Sequence, residues 1–193
     1  MANFSVMNKN QSTSDELLSG VLPEHECDPY YHTYTELSRG ESLYTRLETG
    51  SKNMLKVLSD IGEENANFRY ADGKWPVKGV LGHIIDTERI MAWRALAFAR
   101  GDQSHYPGFD QDDYIKNANF NDLPLGQLLD DYRIVRKSTI SLFRTFSPGM
   151  LMKTGMASNC RFSVRALGFI IAGHEMHHIK ILKQRYLAAL PGR

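Results

Sequence analysis

Four stretches of this chain place apolar residues at three- and four-residue intervals, and no stretch alternates convincingly between apolar and polar residues. The first runs from about Ser42 to Ile61, with Leu43, Leu47, Leu55 and Leu58 on one face and Gly50 weakening its middle. The second runs from about Pro76 to Arg100. Pro76 suits a first helical turn, and Gly101 suits a stop. The third runs from about Leu125 to Phe146 and ends at Ser147-Pro148-Gly149. The fourth begins after Ser163, a good N-cap, and reaches Leu190 before Pro191-Gly192. The pattern predicts an all-α fold, a four-helix bundle with a long crossover, roughly residues 101–122, between helices two and three.

At 193 residues the chain is long enough for one domain with a self-sufficient core. Residues 1–28 are polar and irregular and are read as an N-terminal extension, leaving 29–193 as the bundle. The formal net charge is +1, with no dense Lys/Arg block, so nothing draws the chain to nucleic acid or to an anionic membrane. The longest apolar run, around Leu167 to Ala172, is far shorter than the ~20 residues that span a bilayer. Cys27 and Cys160 have neither the number nor the spacing of a disulfide framework or zinc ribbon. With no secretion signal at the N-terminus, the expected compartment is the reducing cytoplasm.

The chemistry is concentrated in the fourth helix, at Gly173-His174-Glu175-Met176-His177-His178. His174 and His178 are four residues apart and share a helix face. Both continue the apolar stripe Val164, Leu167, Ile171 and Ile181, so both face the core. Buried imidazoles need partners. A shared metal serves both; the plainer alternative is a pair of core histidines bonded to carbonyls or carboxylates. His83, near the edge of the second helix's stripe, can supply a third imidazole, because bundle metal sites are built from facing helices. Three imidazoles leave at least one coordination position open, as catalytic sites do. His177 lies about 100° around the helix from His178 and is read as a flanking residue. Asp86 can orient an imidazole or be a solvated charge. Glu88 and Glu175 fall near apolar stripes, where ion pairing with Arg89, Arg94, Lys180 or His177 is the favoured reading over acid–base chemistry. Catalytic residues are therefore unassigned, with Glu175 and Asp86 as weak candidates.

The run Lys74-Trp75-Pro76-Val77-Lys78-Gly79-Val80-Leu81-Gly82-His83-Ile84-Ile85-Asp86-Thr87-Glu88-Arg89 resembles the second-helix signature of the DinB-like, or YfiT-like, superfamily. The run Ser163 to Ile179 resembles its fourth-helix signature, and Pro107 to Tyr114 has the look of its linking segment. The resemblance spans about residues 29–190. It implies an up-down-down-up bundle, often a homodimer, with a metal held by His83, His174 and His178. Pro76 departs from the family's serine-like cap, which affects the helix start and not the ligands. Members resemble thiol-dependent transferases and isomerases, or metal-dependent hydrolases.

Three functions follow as expectations. The first is an S-transferase in which the metal activates a low-molecular-weight thiol against a small electrophile. The second is a hydrolase using metal-activated water, with Glu175 or Asp86 as base. His174-Glu175-Met176-His177-His178 matches HExxH formally, but the sheet context of such proteases is missing. The third is a metal-binding bundle without turnover. Imidazole ligands suit zinc, nickel, iron or copper, with zinc and nickel foremost. The partner expected is a small-molecule substrate.

Overall fold

A computed structural model of the chain describes residues 14–190. Its long helices are α2 (Leu43–Ile61), α3 (Val77–Arg100), α5 (Leu125–Arg144) and α7 (Val164–Ile181). Short helices α1 (His32–Leu37), α4 (Gln111–Asn117) and α6 (Pro148–Leu151) lie between them. The four long helices form the bundle. The start of α7 meets the start of α2 and the end of α5, where Gly168 lies against Leu43 and Phe143. The starts of α3 and α5 lie at the same end, linked through Glu63, which pairs with Lys78 and accepts from the Leu125 N–H. Helix α3 runs antiparallel to α7, since His83 near its start meets His174 near the end of α7. The order is up-down-down-up.

Local chemistry sets the helix ends. Ser42 Oγ accepts from the Thr45 N–H, and Ser163 Oγ accepts from the Ala166 N–H. Pro76 is not inside the first turn of α3 as expected; it is the residue before it, in an extended conformation. With no side chain to cap, the free N–H groups of Val77 and Lys78 donate to the carbonyls of Phe68 and Ala66. Gly101 ends α3 in the left-handed region at φ 88°. The fourth helix is less regular than expected: after Ile181 it loosens into a π-helical turn, Leu182–Tyr186, and a 3-10 turn, Leu187–Ala189.

The expectation of no strand is corrected. Strands β1 (His105–Tyr106), β2 (Thr154–Ala157) and β3 (Cys160–Ser163) form a small sheet in the order β1-β2-β3. β2 and β3 make an antiparallel hairpin, turned by Ser158 and Asn159 at φ 52° and 59°. Two successive residues with positive φ give the turn whose twist matches the flanking strands. β1 pairs parallel to β2 from the other side, with His105 opposite Met156. The sheet is too short to show periodicity in sequence, and its β1–β2 pairing joins segments some fifty residues apart.

The crossover is also structured. Asp110 caps α4, its Oδ1 accepting from the N–H groups of Asp112 and Asp113. The ring of Phe120 lies flat on Gly82 of α3, where a Cβ would overlap it. That contact folds the crossover back over the start of α3. Toward the N-terminus, Leu18 and Cys27 are buried in the core, and Glu26 accepts from Arg165 and Ser163.

The apolar core has two parts. One gathers Leu43, Leu47, Phe98, Phe143, Phe162 and Leu167; the other gathers Met54, Leu58, Leu81, Ile84, Leu128 and Leu182. Between them lies a polar layer centred on Arg136 of α5. Its guanidinium donates to Glu88 of α3 (2.8–3.2 Å), to Glu175 of α7 (2.9 Å) and to the Leu47 carbonyl of α2 (2.9 Å). One side chain therefore joins all four helices.

Candidate metal centre

Helical spacing and one antiparallel contact bring three imidazoles together. On α7, His174 and His178 stack one turn apart, their ring centroids 4.6 Å from each other. His83 comes in from α3. Its Nε2 lies 3.0 Å from His174 Nε2, and His178 Nε2 lies 3.1 Å from the same atom. One nitrogen from each of the three lies within 4.8 Å of the others. His83 and His174 are buried and His178 is half-buried.

The surroundings keep these rings neutral. Burial pushes His83 down to about 4, with the Asp112 carboxylate pulling the other way. Burial pushes His178 down to about 3, and the neighbouring His83 and His177 add to the effect. His174 is held well below its ordinary value by burial first and by the other three histidines next. Neutral imidazole is the form that binds a metal.

The arrangement fits a divalent transition metal on its own geometry. His174 Nε2 faces two other Nε2 atoms, yet a ring nitrogen has one lone pair or one N–H to offer. It cannot satisfy both neighbours. A metal at ~2.0–2.1 Å from tetrahedrally placed nitrogens would space them about 3.3 Å apart, close to the 3.0 and 3.1 Å separations around His174 Nε2. His83 Nδ1 lies 3.5 Å from Thr87 Oγ1, at the outer limit of an orienting contact. His178 Nδ1 is buried and has no hydrogen-bond partner among the described residues.

Two aromatic side chains shape the edge of the cluster. Trp75 lies 4.9 Å from the His83 ring, and its indole N–H donates to Asp112 Oδ1 at 2.9 Å. Tyr34 of α1 packs edge-on to His174 at 5.4 Å and to His177 at 5.6 Å. Tyr34 comes this close because Gly173 has no side chain; a Cβ there would overlap the Tyr34 carbonyl. His177 touches Tyr34 and is not one of the three converging imidazoles.

A cavity of about 320 Å³ opens beside the cluster. His83, His174, Thr87, Met91 and Arg94 form its inner wall, and Tyr34, Phe109, Asp110 and Asp112 are among the residues at its outer side. The crossover thus supplies part of the lining. Sequence reasoning did not single out Arg94, Thr87, Trp75, Tyr34 or Asp112 for this site. The signal available for Thr87, Met91 and Arg94 was their spacing from His83 along one face of α3.

Glu175 and Asp86 are placed elsewhere. Glu175 is fully buried in the polar layer, where the Tyr132 hydroxyl donates to Oε1 and Arg136 donates to Oε2 at 2.9 Å. It lies one residue, about 100°, around α7 from His174, so the formal HExxH match positions no base at the cluster. Asp86 lies 3.8 Å from Arg89, and burial raises its carboxyl above its ordinary value. It has no hydrogen bond to the three imidazoles and does not line the cavity. Glu88 and Glu175 are ion-paired, but with Arg136 of α5, a partner not among the four weighed from sequence.

Residues 46–182 match the sequence model of the DinB superfamily. The chain belongs to the DinB superfamily. Among similar proteins is OB0413 of Oceanobacillus iheyensis, named a putative metal-dependent hydrolase, 24% identical over 140 residues covering 72% of this chain and 80% of that one. Among solved structures, YfiT from Bacillus subtilis superposes with a TM-score of 0.65 at 13% identity, covering 86% of this chain and 91% of the other. YfiT is described as a probable metal-dependent hydrolase with an unusual four-helix bundle topology, and at this identity the likeness shows the DinB fold. No helix among the described residues is long and apolar enough to cross a membrane.

Proposed function

We propose that the protein is a metal-dependent hydrolase of a small polar substrate, holding one divalent ion, zinc or nickel, through His83, His174 and His178. The observation that carries this reading is the convergence of three neutral imidazoles, two of which, His83 and His174, line a 320 Å³ cavity. The names of OB0413 and YfiT agree with it. His83, His174 and His178 would hold the ion, which would supply Lewis-acid activation of water or substrate. Thr87 Oγ1, 3.5 Å from His83 Nδ1, is the side-chain group placed to orient that ring. Asp112, on the cavity lining and steadied by the Trp75 indole, is the carboxylate available to take a proton from the nucleophile.

A thiol-dependent S-transferase is the second reading. It is favoured by the engagement of Glu175 with Tyr132 and Arg136, which removes the carboxylate adjacent to a ligand from base chemistry. A thiol ionises more readily than water and depends less on such a base.

Metal analysis of the purified protein, reconstituted with zinc or nickel, tests the shared premise. One equivalent is expected, falling to background in His83→Ala and His174→Ala while the far-ultraviolet circular dichroism stays helical. Wild-type protein that takes up no metal would end both readings. Ester and amide substrates assayed without thiol, then small electrophiles assayed with thiol, separate the two. Asp112→Asn is expected to lower the hydrolytic rate by about 10²-fold or more; an unchanged rate would remove Asp112 as the base.

A further inference from the structure

Among the described residues three arginines are buried or nearly so, and two of them have carboxylate partners. Arg136 has Glu88 and Glu175, and Arg165 has Glu26. Arg94 has none. It is 2% exposed. Its Nη2 donates to the Pro107 carbonyl at 2.7 Å and lies 3.3 Å from Ser158 Oγ, and its Nη1 lies 3.8 Å from Met91 Sδ. Its Nε is buried without any partner among the described residues. A guanidinium has five N–H donors and stays charged in proteins, so three neutral contacts leave it neither neutralised nor saturated. Buried charges are ordinarily paired, and an unpaired one at the edge of a cavity calls for an anion from outside.

That cavity is the one that reaches the histidines. His83, Thr87, Met91 and Arg94 follow one another at i, i+4, i+8 and i+11 along the same face of α3, and all four line it. Eleven residues of helix separate the Cα atoms of His83 and Arg94 by about 16 Å. Helical side chains lean toward the N-terminus, the imidazole as well as the guanidinium, and the longer arginine reaches further, so the gap to be bridged is on the order of 10–15 Å. The Ser158 hydroxyl and the Pro107 carbonyl hold the guanidinium in place.

We infer that Arg94 is the anchor for a carboxylate of the substrate, which lies along α3 with its reacting group at the three histidines. The inference rests on the proposed function only in taking this cavity as the substrate's. A planar guanidinium with free N–H groups matches a carboxylate in shape and charge. The cavity also carries Asp110 and Asp112. Two carboxylates already there favour a singly charged anion over a phosphate dianion, which they would repel more strongly. The substrate class is a small organic acid with the reactive group and the carboxylate at opposite ends.

The test uses zinc-loaded full-length protein and two probes of matched length, 6-mercaptohexanoate and 6-mercapto-1-hexanol, titrated by calorimetry. The thiol end of each can ligate zinc, and only the acid offers a carboxylate. Wild type is expected to bind the acid about tenfold or more tightly than the alcohol. Arg94→Gln is expected to abolish that difference while zinc stoichiometry and alcohol affinity remain unchanged. Equal affinity of the two probes for wild type would overturn the inference and leave the metal reading standing, with no variant needed. Failure to bind zinc would end the metal reading, and the anchor is then scored on metal-free protein. There hexanoate, but not hexanol, should shift the backbone amide resonances of Arg94, Pro107 neighbours and Ser158 in wild type and not in Arg94→Gln; no such difference would overturn it. Inorganic phosphate displacing 6-mercaptohexanoate at lower concentration than acetate does would overturn the assignment to a carboxylate.

Discussion

The bundle interior holds two polar clusters that share helices α3 and α7 and differ in how complete they are. In the Arg136 cluster every charge has a partner: two carboxylates, a phenol and a backbone carbonyl surround one guanidinium. In the histidine cluster three like groups point at one another, with a buried Nδ1 left over. Residues 174 and 175 are adjacent in the chain, yet one belongs to each cluster. A polar cluster that closes on itself contributes to structure. One that does not close leaves polar atoms with which a ligand can bond. The same contrast separates Arg136 from Arg94.

Substitution at the closed cluster should give the largest effect. Arg136→Ala leaves Glu88 and Glu175 buried without a counter-charge and should destabilise the protein by about 3–5 kcal/mol in urea unfolding. A loss below about 1 kcal/mol would mean that the two carboxylates are neutralised some other way. Acidification tests the open cluster next. In metal-free protein, the three histidines have folded-state values below the unfolded value of about 6.5. The unfolded chain then binds more protons than the native one, so their contribution is complete above pH 6.5 and is lost progressively as pH falls through about 4 for His83 and about 3 for His178. Lowering the pH from 7.5 to 5.5 should cost about 2–4 kcal/mol, and saturating metal should shift that loss to lower pH. A flat stability profile over this range would contradict neutral, buried imidazoles. The smallest effect expected is at Gly50→Ala, where the new methyl would overlap Glu175 Oε2 and should cost about 1–3 kcal/mol by thermal unfolding with metal stoichiometry unchanged. Loss of metal in that variant would show that the two clusters are not independent.

Much of the fold was legible because long amphipathic helices write their period into the sequence. Ser42, Ser163 and Gly101 marked ends that the structure keeps. Gly50 read as a weakness in the first helix, and its reason lies in another helix, at Glu175. The strands were not legible. Two to four residues cannot display a period, and Ser158-Asn159 is a less familiar positive-φ pair than Asn-Gly. His174 and His178 were legible from their four-residue spacing, and His83 from its place on a facing stripe. Arg94 and Asp112 were not, because their meaning depends on what is absent beside one and on where the crossover carries the other. Arg136 was overlooked as the partner of both glutamates because it lies 39 and 48 residues from them in sequence.

The adjacency of His174 and Glu175 has a mechanical consequence. Helix α7 cannot turn about its axis to re-aim the imidazoles without dragging Glu175 off a guanidinium that also grips α2 and α3. The salt-bridged hub therefore works as an indexing pin that fixes the angular setting of the helix. The aim of the imidazoles is held by a residue that points away from them.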